Sequence, residues 1–236
     1  MVATAAFCSG QTDNSTPTAN TSLPVNFGVV LFPSFDIIDI GGPLSALNLL
    51  SLKHSMNLYL IANTLEPVST KPRVMNPANS NFSQSIVPTH TFSNPPEKLD
   101  VLFVPGGLGS RAPDLDNQID YIRETYPKVQ YLISICTGTW LTARAGVLDN
   151  RNATSNKRSW AGREGLGNNT NWIAHARWVE DGNVWTSSGV AAGMDATFAW
   201  MEKVYGNETA TEIANGMEYL RVLNSTYDPF ADLYGL

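Results

Sequence analysis

The stretch from Val129 to Arg144, VQYLISICTGTWLTAR, constrains the fold more than any other. Its first half, Val129 to Ile135, is a short apolar run with β-branched and aromatic side chains, the pattern of a buried strand. Its second half, Thr137 to Ala145, contains helix formers and no proline. Cys136 falls at the junction. A strand that turns straight into a helix holds the sulfur at a sharp elbow, facing the free N–H groups and positive dipole end of the first turn. That field favours the thiolate, the nucleophilic form. The same position also suits a small buried apolar side chain. Gly138 allows a tight turn and leaves room for a ligand.

Similar strand-then-breaker units recur on both sides of this one. Asn26 to Phe32 and Met56 to Ala62 read as strands, separated by a helix that ends at Leu50. That helix begins at Asp36 or Asp39, or near Pro43 if Gly41-Gly42-Pro43 interrupts the first turn. Pro67 to Phe92 suggests hairpins on the sheet's rim. Leu99 to Val104 is apolar enough to be buried on both faces, as in a parallel sheet, and Pro105-Gly106-Gly107 breaks it. A helix is expected over Asn117 to Tyr126, and loops around one short helical or extended piece over Asp149 to Asn171. Trp172 to Trp178, with His175 inside it, and Asn183 to Thr186 read as strands joined by the Asp181-Gly182 turn. Helices are expected over Ala191 to Tyr205 and Glu208 to Leu220. Alternation of this kind predicts a single α/β sandwich with a largely parallel sheet over residues 24–236. In such sheets ligands bind beyond the carboxyl ends of the strands. Asp36 and Asp39, Gly106-Gly107 and Cys136 all fall there.

Residues 1–23 read as a disordered leader rich in Ser, Thr and Asn, with Ala3-Thr4-Ala5 resembling the end of a signal peptide. Sequons begin at Asn14, Asn20, Asn81, Asn152, Asn168, Asn207 and Asn224, which together with the leader points to a secreted glycoprotein. The net charge of −6 gives no basic patch for nucleic acid, and no apolar run is long enough to span a membrane. The two cysteines, Cys8 and Cys136, make no disulfide framework. His54, His90 and His175 are scattered, so no metal site is expected.

Four motifs then carry a resemblance. They are FPSFDIIDIGGP (Phe32 to Pro43), LDVLFVPGG (Leu99 to Gly107), SICTGTWLTARAGVLDNRNAT (Ser134 to Thr154) and TSSGVAAGMD (Thr186 to Asp195). Together they resemble the DJ-1/PfpI superfamily, and within it the isocyanide hydratase branch with its fungal-type members. The resemblance implies a flavodoxin-like three-layer α/β sandwich, akin to class I glutamine amidotransferases, and a homodimer without a cofactor. It also implies a small-molecule substrate. Cys136 matches the family nucleophile, Asp39 the carboxylate paired with it in the hydratase branch, and Thr137 the residue that follows the nucleophile. Gly106 and Gly107 match the loop whose backbone N–H groups approach the sulfur. The His-Trp pair of many members is matched by Ser159-Trp160, after an insertion of Asn156 to Arg158. A Cys-His-Glu triad is therefore absent, which argues against amidotransferase, peptidase and His-dependent glyoxalase chemistry.

The activity so implied is a lyase-type hydration of a small apolar electrophile, such as an isocyanide, to an N-substituted formamide. Cys136 would attack, Asp39 would move protons with Asp36 as the competing carboxylate, and Thr137 and Gly107 would orient the intermediate. Phe35, Trp140 and Trp160 would line the substrate pocket or simply pack in the core. Arg111 reads as a solvated loop residue, and Glu218, Tyr219 and Asp228-Pro229-Phe230 as a C-terminal flap. Two alternatives stand beside hydration. One is a biosynthetic cyclase or isomerase in which Asp39 is the acid–base. The other is a non-enzymatic redox-sensing protein in which Cys136 oxidises.

Overall fold

The computed structural model describes residues 22–73 and 75–236, so nearly all of the expected leader lies outside them, with Cys8, Asn14 and Asn20. In chain order the elements begin with β1 (Asn26–Val30), α1 (Ile37–Leu50), β2 (Asn57–Ala62), β3 (Val68–Ser69), β4 (Ser85–Ile86), β5 (His90–Thr91) and β6 (Val101–Val104). Next come α2 (Asp116–Thr125), β7 (Tyr131–Ile135), α3 (Gly138–Arg144), β8 (Asn152–Ala153) and β9 (Asn171–Trp172). The chain closes with β10 (Trp178–Asp181), β11 (Val184–Ser187), α4 (Ala192–Tyr205), α5 (Asn207–Gly216) and α6 (Pro229–Leu233).

Seven strands form the main sheet in the order β10-β11-β7-β6-β1-β2-β5, parallel throughout except for the β10–β11 hairpin. Helices α1, α4 and α5 pack together in one layer, and α2 with α3 in the other. The central strands are therefore buried on both faces. Val29, Val30, Leu102, Leu132, Ile133 and Ile135 have no exposed surface, which explains their near-continuous apolar sequences. The fold is the expected flavodoxin-like three-layer sandwich.

One open alternative is resolved and two expectations need correction. Gly41-Gly42-Pro43 does not delay α1. The Asp36 side chain accepts the Ile38 N–H at 2.9 Å and caps the helix, which starts at Ile37. Gly42 is needed there, because a Cβ would lie 2.8 Å from Met194 of α4. The strand expected over Trp172 to Trp178 is split: Trp172 belongs to β9, paired with β8, and Trp178 opens β10. Between them Arg177 is drawn into an ion pair with Asp195, and His175 is exposed rather than in a strand. Finally, α5 stops at Gly216, because Tyr219 turns inward to donate its hydroxyl to Asp195 at 2.8 Å.

Candidate active site

At the end of β7 the chain turns through Cys136 in a left-handed conformation, φ 58°, and enters α3 at Gly138. A non-glycine residue holds that conformation only when its surroundings fix it. Here the Cys136 N–H donates to Ser187 O at 3.2 Å. Its carbonyl accepts from the hydroxyls of Thr139 at 2.9 Å and Ser155 at 3.1 Å. The thiol is almost fully buried, and its Sγ accepts a hydrogen bond from Asn156 Nδ2 at 3.3 Å.

The turns after β1 and β6 interlock beside it. Asp36 N–H donates to Gly106 O at 2.9 Å, and Gly109 N–H to Ser34 O at 2.9 Å. Asp39, with no exposed surface, accepts the Gly106 N–H on Oδ2 at 2.7 Å. Its Oδ1 has no partner among the described residues. Thr137 Oγ1 accepts the Gly107 N–H at 3.0 Å. The Gly106 and Gly107 N–H groups are thus engaged in holding Asp39 and Thr137, rather than open toward the sulfur. No side chain fits at these approaches. A Cβ on Gly106 would lie 2.5 Å from Thr137 N, and one on Gly138 2.2 Å from Val104 O.

Burial pushes the Asp39 carboxyl up to about 8, with Asp36 acting in the same direction and the Gly106 N–H opposing. Burial also pushes the Cys136 thiol upward, and Asp39 adds to it; the Thr137 N–H and the Asn156 amide oppose without reversing the shift. This corrects the expectation of a stabilised thiolate. The helix end is present, but desolvation and the neighbouring carboxylate outweigh it. Near neutral pH the resting pair is a thiol beside a protonated carboxyl. Of the two carboxylates, Asp39 acts more strongly on the thiol, while Asp36 caps α1.

The expected pocket residues are dispersed. Phe35 is core. Trp140 lies between the Arg111 guanidinium, 5.0 Å from its ring centroid, and Gly162, where a Cβ would meet the ring at 2.4 Å. Trp160 carries Arg163 at 4.2 Å on its ring and meets Trp172 edge-on. None of the three lines the cavity that reaches the elbow through Asn156, and neither Cys136 nor Asp39 lines it directly. That cavity, of about 430 Å³, is lined by Asn156, Lys157, Arg158, Arg177, Phe230 and Tyr234, among others. Asn156 is the site residue that the sequence reading missed. Ser159, taken as the match to the family His, instead accepts from Arg111 at 2.8 Å. The available signal was the polar run Thr154-Ser155-Asn156 directly after β8.

Residues 28–203 match the DJ-1/PfpI family. The chain belongs to the DJ-1/PfpI family. Among its relatives, an isonitrile hydratase of Pseudomonas putida is 30% identical over 198 residues, covering 84% of this chain and 79% of that protein. DJ-1beta of Drosophila melanogaster is 27% identical over 123 residues, covering 51% and 64% respectively. In structure, a ThiJ/PfpI family protein of Pseudomonas syringae matches with a TM-score of 0.67 at 26% identity, covering 89% of this chain and 82% of that one. Among the described residues no helix is long and apolar enough to cross a membrane.

Proposed function

We propose that this DJ-1/PfpI protein is a cofactor-independent lyase that hydrates a small isocyanide to an N-substituted formamide. The observation that carries the reading is the burial of the Cys136 thiol beside the Asp39 carboxyl, which pushes both groups toward their neutral forms. The likeness to an isonitrile hydratase over most of both chains supports it.

The neutral pair suits an isocyanide, whose terminal carbon takes a proton and a nucleophile at one atom. Asp39 gives its proton to that carbon, Cys136 Sγ bonds to it, and the thiol proton passes to the Asp39 carboxylate. The product is a thioimidate, with Asp39 protonated again. Water then adds to the imidate carbon while a proton reaches nitrogen through Asp39. The C–S bond breaks, the thiol recovers its proton, and the formamide leaves. Each proton moves through Asp39 or the thiol, and general acid–base help of this kind contributes about a hundredfold or more. Asn156 holds Sγ on the cavity side through the attack.

Burial and the raised thiol pKa work against the redox-sensing alternative, since oxidation follows thiolate character and exposure. The working unit in this reading is a homodimer, to be checked by sedimentation. The deciding experiment follows formamide formation from a simple isocyanide. Turnover is expected, and Cys136→Ser should abolish it while circular dichroism stays native. A Cys136→Ser protein that kept most of the activity would move the nucleophile elsewhere, whereas a parent protein that forms no formamide would favour the cyclase or isomerase class, with Asp39 as the acid–base.

A further inference from the structure

The cavity beside the elbow has an unbalanced wall. Lys157, Arg158 and Arg177 all line it, and no carboxylate does. Two of these cations are neutralised from behind. Arg177 pairs with Asp195 at 2.7 Å, and Lys157 Nζ lies 3.2 Å from Asp228 Oδ2. Lys157 is further committed to Thr154 Oγ1, Ser155 O and Ala176 O at 2.7, 3.1 and 2.9 Å. Arg158 differs. It is exposed, and among the described residues it has neither an ion pair nor a side-chain hydrogen bond. Phe230 and Tyr234 supply the aromatic part of the lining. Asn156 joins this chamber to the chemistry, because it lines the cavity while its amide touches Sγ.

We propose that the chamber selects small organic carboxylates, with Arg158 gripping the carboxylate while the reacting end lies toward Cys136. The proposal rests on the hydratase reading for its substrate class, an isocyano acid rather than a neutral isocyanide. A chamber of about 430 Å³ is within the usual range for a small ligand. A guanidinium matches a carboxylate with two parallel hydrogen bonds, which a point charge does not. Lys157 and Arg177 are held in place and compensated by their buried partners, so Arg158 is the wall cation left to take the anion.

The test compares isocyanoacetate with its methyl ester, which share the reacting group and differ in charge. The acid should have the higher kcat/KM by about tenfold or more, a ratio corresponding to one well-placed charged contact. Arg158→Ala and Arg158→Gln should collapse that acid-to-ester ratio toward unity, Arg158→Lys should keep part of it, and added salt should narrow it. A second measurement does not depend on turnover. By calorimetry, N-formylglycine should bind the parent protein more tightly than its methyl ester, and Arg158→Ala should remove the difference. If neither isocyanide reacts but this Arg158-dependent preference is found, the hydration reading fails and the carboxylate inference stands. Equal binding of acid and ester, or a preference that survives Arg158→Ala, overturns the inference whatever the turnover.

Discussion

One oxygen of Asp39 accepts the Gly106 N–H and the other has no partner among the described residues. The folded protein therefore holds a proton there that the unfolded chain releases. With the carboxyl raised from 3.8 to about 8, the native state binds more protons across that window, and stability falls as pH rises through it. Asp39→Asn should remove this slope. Its melting temperature is expected to exceed the parent's at pH 8 and to converge with it below pH 4, while turnover is lost. A parent protein as stable at pH 8 as at pH 5, with no gain in Asp39→Asn, would contradict a neutral buried carboxyl. At Asn156 the expectation is kinetic. Asn156→Ala removes the one side-chain hydrogen bond to Sγ and should cost about tenfold in kcat. The site was partly legible in the sequence. Cys136 and Asp39 stand where strands meet helices, and their spacing announces it. Asn156 follows a two-residue strand and carries no periodic signal. The thiol's ionisation was misread because a helix end is visible in sequence, whereas the burial that outweighs it is not.

Among the elements, the apolar runs of β1, β6 and β7 were readable because both faces of each strand are covered. The start of α1 was obscured by its Gly-Gly-Pro, and the two glycines prove unequal. Gly41 has open space where a Cβ would go, whereas Gly42 lies against Met194. Gly41→Ala should therefore raise the unfolding free energy by about 1 kcal/mol, the helix-propensity difference alone. Gly138→Ala should act in the opposite direction, because its Cβ would overlap the Val104 carbonyl at the first turn of α3. A loss of about 3 kcal/mol is expected in urea unfolding, together with lost turnover from a displaced elbow. Equal effects of the two substitutions would mean that α3 can shift away from β6. The division of the expected Trp172–Trp178 strand was not readable, since it depends on Arg177 meeting Asp195, which lies 18 residues later.

For the molecule as a whole, the segment after α5 is fastened to the body by buried charge. Asp228 Oδ1 accepts the Phe230 N–H, which caps α6, and Oδ2 faces Lys157. Burial lowers Lys157 to about 8 against the opposing pull of Asp228. Lys157→Met would leave Asp228 uncompensated and should cost about 3–5 kcal/mol in unfolding free energy. Adding Asp228→Asn, which keeps the cap and removes the charge, should restore most of it; no recovery would mean that the lysine's packing matters more than the pair. The bond from Gly106 to Asp39 spans 67 residues of sequence, and the parallel pairing of β1 with β6 closes a comparable distance. Such long closures lose chain entropy before any contact rewards them, so Cys136 and Asp39 are expected to meet late on the folding route. Helical signal after dilution from denaturant should return before Cys136 and Asp39 meet. Any turnover would then lag secondary structure in time, and agents that slow strand pairing would lengthen that lag without altering the finished fold.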